Sequence, residues 1–120
     1  MNGLSTGVDH PGRDWLHELR TGDPVTRRLV AEAIDRLLDE GPVLGRPLVD
    51  RISGSQVHNL KELRPGSSGA SEVRILFVFD PLRNAVLLIA GDKSGQWNQW
   101  YRHAIPLAEQ WYEAYLKELP

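Results

Sequence analysis

Residues 72–90, EVRILFVFDPLRNAVLLIA, constrain the fold more than any other part of the chain. EVRILFVF (72–79) is β-branched and aromatic, the composition of a strand. DPLRN (80–84) holds the Asp, Pro and Asn of a tight connection, and AVLLIA (85–90) is a second strand apolar on both faces. Together they predict an antiparallel hairpin. Alternation along the first strand sends Val73, Ile75, Phe77 and Phe79 to one side and Glu72, Arg74, Leu76 and Val78 to the other. Arg74 then lies mid-sheet among apolar neighbours, where an unpaired charge is costly. It either pairs with Glu62 or Glu72, or it points into a cleft where a guanidinium holds a phosphate bidentately.

Helical patterns flank this hairpin. Residues 1–12 hold three Gly and one Pro without a period and read as an irregular arm. Asp14 is positioned to cap a short helix through about Arg20, with Trp15, Leu16 and Leu19 apolar and Gly22 stopping it. Asp23-Pro24 opens a firmer helix, since proline at the first helical position forfeits no hydrogen bond. Val25, Leu29, Val30, Ala33, Ile34, Leu37 and Leu38 follow at helical spacing, and Gly41-Pro42 ends the run. Residues 42–56 are broken by Pro and Gly and read as loop. VHNLKEL (57–63) reads as a strand ending before Pro65, and residues 65–71 as a turn. Pro106 is read as starting a C-terminal helix with Leu107, Ala108, Trp111, Tyr115 and Leu119 on its apolar stripe, so Trp111 is expected in the core. Helices, then antiparallel strands, then a helix make an α+β domain over residues 13–120.

Composition narrows the chemistry. In 120 residues there is no cysteine, which removes disulfides, thiolate metal sites and a cysteine nucleophile. His10, His17, His58 and His103 lack ligand spacing, and phosphate-loop, dinucleotide, nucleophile-elbow and zinc-protease motifs are missing. No metal or cofactor is expected. The opening ten residues lack the pattern of a secretion signal and no stretch is long enough to span a membrane, so the cytoplasm is the expected location. The net charge of −2 is uneven: residues 46–102 hold eight Lys/Arg against five acids, between acidic ends. A basic middle can attract a polyanion locally.

Several cations and aromatics sit where a site could form. Lys61 and Arg64 in KELR fit either a solvated strand or a cleft. Lys93 begins a loop at a strand end, a common place for a site. Trp97, Trp100 and Tyr101 recur at three and four, yet Gly95 and Pro106 restrict a helix there to about two turns. They serve either as core lids or as platforms on which bases stack. Tyr101 beside Arg102 and His103 adds groups able to move a proton or bind phosphate.

Taken together, HNLKELRPG (58–66), SEVRILFVFDP (71–81), AVLLIAGDK (85–93) and WYRHAIPLAEQWY (100–112) resemble the phage-derived HigB-like branch of the RelE/ParE toxin superfamily, from about Trp15 to Leu119. The resemblance implies a RelE-like fold, with helices on one face of a small antiparallel sheet and a concave basic cleft on the other. It implies a metal-independent, ribosome-dependent endoribonuclease that cuts mRNA by 2′-OH attack on the adjacent phosphate. Its partners would be the ribosome, mRNA and a cognate helix-turn-helix antitoxin. Carried over, Arg74 stabilises the transition state, Lys93 binds phosphate or donates a proton, and Tyr101 stacks or assists proton transfer. Lys61 becomes a candidate general base if neighbouring cations depress its pKa; Arg64, Trp100, Arg102 and His103 bind RNA, with His103 a further acid/base candidate. One departure stands out. The family usually begins with an apolar strand, and here NGLSTGVDHPG takes its place. Rival readings are a ParE-like gyrase binder without catalysis and a degenerate, non-toxic binding module.

Overall fold

The computed structural model describes residues 4–5, 24–66 and 72–119. The short helix expected at Asp14–Arg20 and the Asp23 cap lie outside them. The fold is α+β. In chain order its elements are strand β1 (Leu4–Ser5), helix α1 (Pro24–Glu40), a 3₁₀ turn at Gly41–Val43, strands β2 (Val49–Arg51), β3 (Lys61–Leu63), β4 (Val73–Phe79) and β5 (Ala85–Asp92), and helix α2 (Trp97–Glu118). The sheet order is β1-β5-β4-β3-β2; β2 to β5 pair antiparallel and β1 runs parallel to β5.

Helix α1 buries Thr26, Val30, Ala33 and Leu37, a single stripe with spacings of four, three and four. Val25, expected on that stripe, is displaced from it by one residue's rotation and stays 45% exposed. Gly41 ends the helix with φ of +67°, the left-handed conformation glycine adopts most readily.

The hairpin forms as its sequence requires. The Asp80 carboxylate accepts a 2.8 Å bond from the Asn84 backbone N–H and closes the turn. Leu76 faces Ile89 while Phe77 faces Leu87, so Leu88 is the extra residue of a β-bulge. The bulge resets the alternation of β5. Leu88 and Ile89 both join the cluster under α2, and Gly91 comes to lie opposite Arg74.

Both faces of the sheet are covered. Val73, Ile75, Phe77 and Leu87 pack with Val30, Ala33 and Leu37 of α1 on one side. Leu76, Val78, Val86 and Leu88 pack with Ala104 and Ala108 of α2 on the other. The expectation of helices on one face and an open cleft on the other is therefore corrected: α2 occupies that second face, because the apolar residues of β4 and β5 point both ways.

Three further expectations change. The predicted loop 42–56 contains β2, a strand too short for its β-pattern to outweigh the surrounding Gly and Pro. The strand expected over 57–63 shrinks to Lys61–Leu63, since Val57–Leu60 form a turn closed by the Leu60 N–H on the Val57 carbonyl at 3.2 Å. Helix α2 runs through Pro106 instead of starting there. Proline removes one helical donor, but the ring lies exposed and the small residues Ala104 and Ala108 on the inner face keep the helix seated on the sheet. Consequently Leu107 is 45% exposed, and Trp111 is half-buried at the margin of the core. Within the segment where the resemblance leads one to expect an apolar strand, the described residues hold the two-residue β1, which pairs in parallel with Ala85 and Val86 along the outer edge of β5. None of the described helices is long and apolar enough to cross a membrane.

Candidate active site

Under the N-terminal half of α2, the sheet face changes from apolar to charged. Glu62 on β3 points to this face and its side chain is only 4% exposed. Such a carboxylate must be satisfied by several donors, and it is. The Tyr101 hydroxyl donates to Oε1 at 2.5 Å, and Arg64 donates to Oε2 from Nε at 3.2 Å and Nη2 at 3.0 Å. Arg74 Nε lies 3.5 Å from Oε1. Strand alternation places Glu62 and Arg64 on one side of β3, and Asp50, paired with Glu62 across β2, meets Arg64 Nη2 at 3.2 Å.

Arg74 is 17% exposed at its side chain and donates from Nη1 to its neighbour's carbonyl, Val73 O, at 2.8 Å. Its Nε is buried and makes no hydrogen bond among the described residues. A buried donor in that condition is uncommon in a folded protein. Opposite Arg74 stands Gly91, whose missing side chain has a direct consequence: a Cβ there would lie 2.7 Å from Trp100 Nε1. The glycine lets the indole settle against the sheet, and Trp100 meets Tyr101 edge-on with ring centres 5.1 Å apart.

Lys93 closes the cluster from the end of β5. Its backbone N–H bonds the Glu72 carbonyl at 2.9 Å. Its side chain is 10% exposed, with Nζ 3.9 Å from a Glu72 oxygen and 5.2 Å above the Tyr101 ring. Burial first, then the bond to Glu62 and its charge, push the Tyr101 pKa up to about 12, with Arg74 opposing. At neutral pH the phenol is a proton donor, not a base.

The fold thus gathers Arg74, Lys93, Tyr101, Arg64 and Trp100, and it separates Lys61 from them. Lys61 faces the α1 side, with Nζ 3.5 Å from the Pro42 carbonyl and 5.7 Å over the Phe79 ring. Arg102 and His103 are exposed on α2. Arg102 lines an open groove with Gly54, Asn98, Tyr101, Ile105 and Pro106, so the groove meets the cluster at Tyr101. Glu109 pins the opposite wall by accepting from Ser55 Oγ at 2.8 Å and the Gln56 N–H at 2.6 Å. Sequence reasoning named Glu62 only as an ion-pair partner and overlooked Gly91. The period of β3 assigns Glu62 a face, but its tie to Tyr101 spans 39 residues and leaves no local signal. The three cations Arg64, Arg74 and Lys93 are balanced by Asp50, Glu62 and Glu72, so this part of the basic middle folds into a neutralised constellation.

The family described as phage-derived protein Gp49-like matches residues 14–113. Two proteins of Mycobacterium tuberculosis are similar. The one named "Putative toxin HigB2" is 52% identical over 104 residues, which cover 87% of this chain and 50% of that protein. The one named "Putative toxin HigB3" is 53% identical over 87 residues, 72% of this chain and 74% of that protein. The chain spans about half the length of the first relative and three quarters of the second.

Proposed function

Because the chain belongs to the phage-derived Gp49-like family and is HigB-like, we propose that it is the toxin of a type II toxin–antitoxin pair, acting in the cytoplasm and held in check by a helix-turn-helix antitoxin. Its activity is cleavage of mRNA on the ribosome, in the manner of the RelE/ParE superfamily. The ribose 2′-oxygen bonds to the adjacent phosphorus and the bond to the 5′-oxygen breaks. One proton leaves the 2′-hydroxyl and one arrives on the leaving oxygen, giving a cyclic phosphate and a free 5′-hydroxyl. No metal is required.

One observation carries this reading: Arg74, Lys93 and Tyr101, from three separate segments, converge beside an open groove. Arg74 supplies charge against the phosphorane, where a preorganised cation is most effective. Lys93 holds the phosphate. Tyr101, neutral with a pKa of about 12, suits donation to the leaving oxygen or stacking beneath a base with Trp100. Glu62 holds Tyr101 and Arg64 in position and draws Arg74 towards them. Arg102 guides the strand along the groove.

The pairing of every cluster cation with a carboxylate favours a second reading, a binding module or ParE-like gyrase binder without catalysis. Induced expression without an antitoxin, with 5′-end mapping of cellular mRNA, separates the two. Cleavage within translated codons that Arg74→Ala or Tyr101→Ala abolishes is the expected result. Growth arrest with intact mRNA transfers the function to a bound target.

A further inference from the structure

At the β2 edge of the sheet, Arg51 and Lys61 stand directly opposite each other across β2 and β3. Like charges in this position repel, and among the described residues neither forms an ion pair with a carboxylate. The acids next to them in sequence are already engaged, Asp50 by Arg46 at 3.1 Å and Arg64 at 3.2 Å, and Glu62 by Tyr101 and Arg64. Lys61 is also partly buried, and burial followed by the charge of Arg51 lowers its pKa.

The surroundings are those of an anion receptor. Arg51 and Lys61 line a concave groove with Ser53, His58 and Asn59 over a floor that includes Leu60, and no carboxylate among the described residues lines it. The turn that carries His58 and Asn59 is fixed by Ile52 N–H to Leu60 O at 3.0 Å and Leu60 N–H to Val57 O at 3.2 Å. A guanidinium, an imidazole, a hydroxyl and an amide line one cavity. The Lys61 ammonium, which rests 3.5 Å from the Pro42 carbonyl, stands between this groove and a neighbouring one that Pro42, Asp50, Arg51 and Lys61 share. These are the donors that bind a phosphate group.

We infer that Arg51 and Lys61, with Ser53, His58 and Asn59, form a second phosphate-binding site, separate from the Arg74 cluster. The phosphate belongs to an RNA strand or is a free ion, and the two sources are separable. The inference does not depend on nuclease activity.

Nuclear magnetic resonance of the lysine side chains in the full chain tests it. Addition of inorganic phosphate is expected to move the Lys61 signal, and Arg51→Gln to weaken that response at least fivefold. A single-stranded oligoribonucleotide that competes with phosphate identifies the source as a strand. In that case its log-affinity falls less steeply with salt in Arg51→Gln/Lys61→Gln, by about 0.7 for each phosphate that the variant no longer neutralises. Phosphate binding without competition identifies the free ion. Thermal unfolding checks folding, and relief of repulsion is expected to leave the double variant as stable as the parent or more so. A Lys61 signal that neither ligand moves overturns the inference. So does a phosphate response unchanged in Arg51→Gln.

Discussion

At the scale of single residues, two tyrosine–carboxylate bonds that alternation could not reveal tie helix α2 to the sheet, Tyr101 to Glu62 within the candidate site and Tyr115 to Asp80 at the hairpin turn. Glu62→Gln removes the charge that Tyr101 faces, so the tyrosine pKa is expected to fall from about 12 but to remain above the ordinary 10, because burial persists. Tyrosinate absorbance against a Tyr101→Phe control measures it. The sign follows from linkage: a raised folded pKa stabilises fully below pH 10, and that contribution disappears as pH rises towards 12. Asp80 behaves oppositely. Burial raises its pKa, but bonds from Tyr115 at 2.7 Å and from Asn84 outweigh burial and leave it below the ordinary 3.8. Its stabilisation is present above that value and is lost as pH falls through the folded pKa. Tyr115→Phe is expected to cost about 1–3 kcal/mol at neutral pH, with the difference from the parent shrinking in acid; urea titrations at two pH values show it. What was legible at this scale was residue type, since the positions of Arg74, Lys93 and Tyr101 stood out. The side of the strand was also legible in principle. Lys61 and Arg64 are three apart, and alternation assigns them to opposite faces, as the fold does.

At the scale of elements, helix α2 shows where local rules mislead. Trp100, Ala104, Ala108, Trp111 and Tyr115 recur at four, four, three and four through Pro106, so the period was a better guide than the breaker. Pro106→Ala restores a backbone donor on an exposed turn and is expected to raise the unfolding temperature. Unchanged or lower stability would mean that the proline serves the groove it lines. Strand β2 was hidden for the converse reason: three residues carry too little pattern, and only pairing with β3 defines them. Gly91 is where two elements touch most closely. Gly91→Ala places a methyl 2.7 Å from the Trp100 indole, and overpacking of this kind costs roughly 1–3 kcal/mol. Tryptophan fluorescence and denaturant unfolding are expected to change together, along with the tyrosine titration of the neighbouring ring.

At the scale of the whole molecule, the hairpin at 72–92 determined most of the architecture. Its two apolar faces require a helix on each side, which the sequence pattern contained but the family resemblance obscured. The charge asymmetry of the chain was legible as well, yet its meaning changed on folding: part of the basic middle is paired off around Glu62, while Arg51 and Lys61 remain unneutralised among the described residues.

Tyr101 and Tyr115 bring a further consequence. They sit 14 residues apart on α2, close to four whole turns at 3.6 residues per turn, and bond two carboxylates at opposite ends of the sheet face, Glu62 and Asp80. The helix is therefore indexed like a key with two teeth. Removing one residue between them swings one tooth by about 100°, so only one of the two bonds can re-form. Deleting an exposed residue between 102 and 114 is expected to destabilise the protein far more than the same deletion beyond Tyr115. The cluster around Glu62 at one end would then be held in phase by the turn at Asp80 at the other.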